Sequence, residues 1–206
     1  MREKSNPRRP IDFHHDRFTQ ISESHCGPAV IQMLLRNLGI EVTQEAVAEA
    51  GGATDLIEQH GMRVDQLYQA VRQLAPQTSF WYKDHSTIEE LVRIVVDYDF
   101  PVGIEWQGVF EDTLDDETQD SDYGHYSVVT MADPKRRKLV IVDPYKGFRS
   151  QDRIFTFEFF MSRWWDTNEF PDPLTGKGHL VEDRQMMFTI TPDEVTFPQL
   201  LGMKRE

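Results

Sequence analysis

Gln20-Ile21-Ser22-Glu23-Ser24-His25-Cys26-Gly27-Pro28-Ala29 runs straight into the apolar stretch Val30-Ile31-Gln32-Met33-Leu34-Leu35, and it holds the only cysteine of a 206-residue chain. Pro28 suits a first helical turn, where its missing N–H would be unpaired in any case. From Ala29 onward, apolar residues at 30, 31, 34, 35 and 38 follow the spacing of one helical face, and Gly39 is placed to close the helix. Cys26 therefore stands at a helix N-terminus. Unpaired N–H groups and the macrodipole there favour a thiolate over a thiol, and a thiolate is what nucleophilic catalysis requires. A lone cysteine ahead of a helix is also a common small buried apolar residue. The reading turns on whether the rest of the chain brings a base to it.

Composition narrows the setting. Hydrophobic residues make up 39% and aromatics 11%, enough for one globular domain. We bound that domain at residues 11–195, with a flexible N-terminal tail at 1–10 and a polar C-terminal tail at 196–206. The first ten residues are polar with no apolar segment behind them, unlike a signal peptide. No run approaches the ~18 apolar residues of a membrane helix, so no membrane association is expected. A single cysteine allows no intramolecular disulfide and fits a reducing, cytoplasmic location. A net charge of −13 argues against nucleic acid as the main partner.

Taken in order, the chain begins mostly helical. Ile11–Asp16 reads as extended. Its paired His14 and His15 point to opposite faces of such a stretch, so they do not share a metal ion. Thr43 caps a helix over Gln44–Ala50, stopped by Gly51-Gly52. Residues 61–74 form an amphipathic helix ended by Pro76, and Ser79–Tyr82 is a short strand. Ser86-Thr87-Ile88-Glu89 reads as a capping box for a helix to about Asp97.

Strand character follows at Pro101–Trp106. Residues 111–122 then form an acidic loop with seven carboxylates. Calcium is not expected there, because the glycine of Asp120-Ser121-Asp122-Tyr123-Gly124 falls one position early for an EF-hand and position twelve is Met131. Tyr126–Met131 and Lys138–Val142, joined by the Asp133–Arg137 turn, form a hairpin. A further strand is read at Arg153–Phe155, and Thr156 caps an aromatic helix running through Trp164-Trp165. Gln185–Ile190 is the last strand. The order predicts an α+β fold, a helical N-terminal half packed on a C-terminal antiparallel sheet.

His125 opens the first hairpin strand and Asp143 closes the second, so antiparallel pairing brings the two to one sheet edge. A carboxylate beside an imidazole orients the ring and stabilises its protonated form. If the free ring nitrogen meets Cys26, the three form a nucleophilic triad. Gln20, six residues before Cys26, offers an amide N–H beside the Cys26 backbone N–H for an oxyanion, typically worth ~3 kcal/mol per donor.

Gln20-x5-Cys26-Gly27-Pro28-Ala29, Gly124-His125-Tyr126-Ser127-Val128-Val129 and Val140-Ile141-Val142-Asp143-Pro144 together resemble the C39-like peptidases of the papain-type cysteine-protease superfamily. The resemblance covers roughly residues 11–190. It implies a papain-like fold with Cys26 as nucleophile, His125 as general base and acid, Asp143 as orienting carboxylate and Gln20 in the oxyanion hole, with no cofactor and no metal. Best-known relatives cut leader peptides after a double glycine within ABC exporters, and that substrate does not carry over to a chain with no membrane or ATPase part. His25 stands where those relatives often have Asp. The function expected is a cysteine peptidase acting on a peptide or protein substrate. The acidic loop would favour basic peptides or amines by attraction. An acyltransferase using the same apparatus, a catalytically idle peptide-binding module and a redox sensor are the alternatives. The sensor is the weakest, because no second cysteine resolves a sulfenic acid.

Overall fold

The computed structural model describes residues 16–110, 124–171 and 178–206, so the 1–10 tail, the His14-His15 pair and the acidic loop at 111–122 lie outside the described residues. Its helices are α1 (Cys26–Asn37), α2 (Gln44–Ala50), the single turn α3 (Ile57–His60), α4 (Val64–Leu74), α5 (Ile88–Val96) and α6 (Phe157–Arg163). The strands are β1 (Thr78–Lys83), β2 (Val102–Gln107), β3 (Gly124–Asp133), β4 (Lys138–Val142), β5 (Asp152–Thr156), β6 (Trp165–Pro171), β7 (Gly178–Arg184), β8 (Met187–Pro192) and β9 (Lys204–Arg205). Among the described residues, no helix is long and apolar enough to cross a membrane.

Seven strands form one antiparallel sheet in the order β5-β4-β3-β2-β8-β1-β9, and β6 with β7 makes a separate two-stranded arm. Side chains alternate across a strand, and the sheet uses both faces. On one, Phe80, Tyr126, Val128, Phe188 and Ile190 pack with α1, α2 and α4. On the other, Trp81, Ile104, Trp106, Val129, Leu139 and Met187 pack with α5, α6 and Trp164. Two cores therefore flank one sheet.

Mixed helix and antiparallel sheet is as expected, but the two halves interpenetrate. β1, from the helical half, lies between β8 and β9, and α6 comes from the sheet half. The region read as a C-terminal tail is also built in: Phe197 and Leu201 are buried, and Lys204 and Arg205 pair with Tyr82 and Trp81. Two helix ends differ from the sequence reading. The capping box of α5 uses Thr87 and Glu90 rather than Ser86 and Glu89, because the Ser86 hydroxyl turns back to the Lys83 carbonyl. Helix α6 stops at Arg163, since Trp164 buries its ring and donates its indole N–H to the Met186 carbonyl at 2.9 Å. Trp165 then starts β6.

Gly103 marks the tightest point of the sheet. It faces Phe188 across the β2–β8 pair, and a Cβ there would lie 2.4 Å from the phenyl ring. Phe188 cannot yield easily, being stacked on Phe80 with ring centres 5.3 Å apart. Gly103→Ala is expected to destabilise the protein by about 1–3 kcal/mol through overpacking. Urea unfolding of Gly103→Ala, Phe188→Leu and the double variant checks it: the smaller ring should recover part of the loss, and strict additivity would contradict this account.

Candidate active site

Cys26 is the first residue of α1 and is 8% exposed. The loop before it is tightly tied. The His25 ring Nδ1 meets the Ser22 hydroxyl at 2.7 Å, and the His25 carbonyl accepts the Ala29 N–H at 3.0 Å to start the helix. Close packing follows at once: a Cβ on Gly27 would sit 3.2 Å from Leu67 and 3.4 Å from the Tyr126 ring. The nucleophile candidate is thus pinned between α4 and β3.

His125 is the second residue of β3, paired with Trp106 of β2, and Asp143 directly follows β4. The structure brings the two together, with His125 Nε2 2.8 Å from Asp143 Oδ1. Cys26 lies near enough to the ring to favour its protonated form. Since Nε2 is taken by the carboxylate, Nδ1 is the nitrogen left for sulfur. His125 is 3% exposed, and the Asp143 side chain is fully buried.

Burial alone would discharge this imidazole. The Asp143 carboxylate overrides it, with Cys26 adding to the effect, and the histidine is pushed up to about 10. Burial likewise opposes the Asp143 charge, yet His125, the Tyr145 N–H and Arg153 together hold its carboxyl below the ordinary value. An aromatic cover keeps the pair dry. Phe110 stands edge-on to the His125 ring at 5.1 Å, and Tyr145 stands edge-on to Phe110 at 4.9 Å.

Gln20 is buried beside this centre. Its backbone N–H donates to the Pro144 carbonyl at 2.9 Å, which ties the loop before Cys26 to the residue after Asp143. Its side-chain Nε2 donates to the carbonyls of Ser22 at 2.8 Å and Glu23 at 3.0 Å, and its Oε1 is buried without a partner. Both amide protons therefore hold the loop in this state, and Gln20 offers none to an oxyanion.

Two features escape sequence reading. Arg153 of β5 reaches the second oxygen of Asp143, Nη1 to Oδ2 at 2.8 Å. Beneath Cys26, Tyr126 donates its hydroxyl to Glu105 Oε1, which also accepts from Asn168 at 3.2 Å. Glu105 Oε2 has no partner. Burial, reinforced by the Asp183 charge, raises this carboxyl to about 7 against the pull of Tyr126 and Asn168. Its neighbour Asp166 accepts from Gln107 at 3.1 Å. Neither feature has a local motif, because each joins side chains of different elements. Among the described residues, no three His, Cys, Asp or Glu side chains are placed to hold a metal ion.

The chain as a whole has counterparts among known proteins. A model of the Peptidase_C39 like family matches residues 14–170. The chain belongs to that family. Among solved structures, the Peptidase_C39 like fold seen here resembles the crystal structure of the peptidase domain of Streptococcus ComA, a bi-functional ABC transporter involved in a quorum sensing pathway. The TM-score is 0.56 at 17% identity, over 87% of this chain and 100% of that one. At that identity the likeness speaks for the fold alone. No curated protein matches this Peptidase_C39 like chain.

Proposed function

We propose that this protein is a cysteine peptidase that cleaves a peptide or amide bond through Cys26, His125 and Asp143. One observation carries the reading: His125, buried, lies 2.8 Å from Asp143 Oδ1, and that carboxylate, with Cys26 nearby, pushes the imidazole up to about 10. A protonated imidazole beside the sulfur supplies the counter-charge for a thiolate at neutral pH. Membership of the Peptidase_C39 like family supports the same chemistry.

In the proposed cycle the Cys26 thiolate attacks the scissile carbonyl, forming the C–S bond and an oxyanion. The Cys26 backbone N–H holds that oxyanion. Gln20 joins it by releasing one of its two loop carbonyls, Ser22 or Glu23, and turning the freed N–H to the new charge. His125 then delivers its Nδ1 proton to the leaving amine as the C–N bond breaks. Water, deprotonated by the now neutral imidazole, releases the acyl group and restores the ion pair. A basic peptide is the preferred substrate on charge grounds, given the −13 net charge and the acidic residues at 111–122.

Alkylation of Cys26 by iodoacetamide across pH tests the proposal without a known substrate. In the wild type, the rate at pH 6 should remain within a few-fold of the rate at pH 9. In His125→Ala it should fall away below the ordinary thiol range of about 8.5. A free-thiol profile in both proteins would overturn the peptidase reading and favour an idle peptide-binding module.

A further inference from the structure

We propose that Arg153 is a positioning residue of this site, anchoring Asp143 Oδ2 so that Oδ1 stays aimed at His125. The inference rests on the peptidase reading and deepens it. Asp143 has two oxygens with divided duties. Oδ1 accepts from His125 Nε2 at 2.8 Å and from the Tyr145 N–H at 2.9 Å, and Oδ2 accepts from Arg153 at 2.8 Å. Without Arg153, Oδ2 would be a buried acceptor with no donor, a costly state that rotation of the carboxyl towards solvent relieves. Such a rotation takes Oδ1 off His125.

Arg153 is itself fixed. It sits on β5 opposite Ile141 of β4, one register step from Val142, the residue before Asp143. Its guanidinium lies 3.7 Å from the Phe148 ring centre and 4.9 Å from that of Phe155, and its side chain is 10% exposed. A planar cation held between rings on a strand is a rigid peg, and a flexible ammonium in the same place is less so. Partners one step behind the reacting groups commonly matter about 10- to 100-fold when removed.

Among the described residues, the charged and titratable groups around the pair are Cys26 from α1, Tyr126 beside His125 on β3, Asp143 after β4 and Arg153 from β5. Beyond them lie the exposed ion pairs Arg17–Asp152 and Lys146–Glu23. Positioning and simple charge therefore predict opposite signs. Deleting a nearby positive charge without moving Asp143 would make His125 hold its proton more firmly. Deleting the peg lets the carboxylate turn away, and His125 loses its support.

The test is the Cys26 alkylation profile of Arg153→Met and Arg153→Lys, with His125→Ala beside them and thermal unfolding recorded at each pH. Arg153→Met is expected to react about 10- to 100-fold more slowly at pH 6 and to approach the wild-type rate at pH 9. Arg153→Lys should recover most of the pH 6 rate. A folded Arg153→Met whose profile stays flat, or whose pH 6 rate rises, overturns the proposal. So does an Arg153→Lys as slow as Arg153→Met. If Arg153→Met does not fold, Arg153→Gln is read in its place with the same loss expected. Dependence on His125 without dependence on Arg153 sinks this inference alone; dependence on neither sinks the peptidase reading itself.

Discussion

Asp143→Ala is expected to cost more than any other single change, in stability and in activity together. It strands two buried cations, His125 and Arg153, that share one carboxylate. Breaking a buried pair by removing one partner costs about 3–5 kcal/mol, because the partner left behind stays out of water. Loss of the orienting carboxylate in a comparable triad lowers kcat by about 10⁴. The pH dependence has a definite shape. The Asp143 carboxyl lies below its ordinary 3.8 in the folded protein, so its contribution is complete above about pH 4 and is lost as the pH falls through the folded value. His125 is raised from 6.5 to about 10, so its contribution is complete below about 6.5 and is lost as the pH climbs to 10. The stability gap between wild type and Asp143→Ala should be widest between about pH 4 and 6.5 and narrow on either side. Denaturant unfolding at pH 3, 5.5 and 9 measures it, and a gap constant across the three would refute the paired-charge account.

Glu105→Gln is expected to act in the opposite direction and stabilise the protein. In the unfolded chain this carboxyl ionises near its ordinary 4.5, while in the folded protein it keeps its proton to about 7. Between those values the folded state binds the extra proton, so stability falls as the pH rises. The accumulated loss is on the order of 3 kcal/mol by pH 8, at about 1.4 kcal/mol per unit. Glutamine does not ionise, and it keeps an oxygen for the Tyr126 hydroxyl. Its N–H₂ replaces the partnerless Oε2, with Asp166 adjacent as an acceptor. The variant should match wild type near pH 4 and exceed it at pH 8. A variant no more stable at pH 8 would mean that Glu105 ionises without penalty.

These two residues show where sequence reading reaches and where it stops. His125 and Asp143 were legible because a hairpin is local: two β-rich runs and a turn dictate which residues meet at the open end. Cys26 was legible because proline and apolar spacing mark a helix start. Arg153 was not, since its meeting with Asp143 requires β5 to pair with β4 after an intervening loop. Glu105 sits in a strand that reads as mixed, and its partners Tyr126 and Asn168 come from two other strands. The β6–β7 arm left no alternating apolar signal, because almost every described residue of β7 is exposed. The helix read through Trp165 takes in only the first residue of β6, and the rest of that strand carries no strand reading. At α5 the sequence reading took Ser86–Glu89 as the capping box, and the observed box lies one residue on because Ser86 turns back to Lys83. Spacing brings Gln20 close to Cys26, but its commitment to two loop carbonyls depends on atomic positions that no spacing encodes.

The place of β8 has a consequence for how this protein is made. One of the last strands in the sequence, it lies inside the sheet, with β2 on one side and β1 on the other. On a ribosome adding about 5–20 residues per second, Cys26 emerges long before Asp143 and Arg153, and β1 and β2 wait for Met187–Pro192 to join them. A growing chain therefore carries Cys26 from early in translation, before Asp143 and Arg153 are there to hold His125 in place. The proposed peptidase site is complete only once the last part of the sheet has been synthesised.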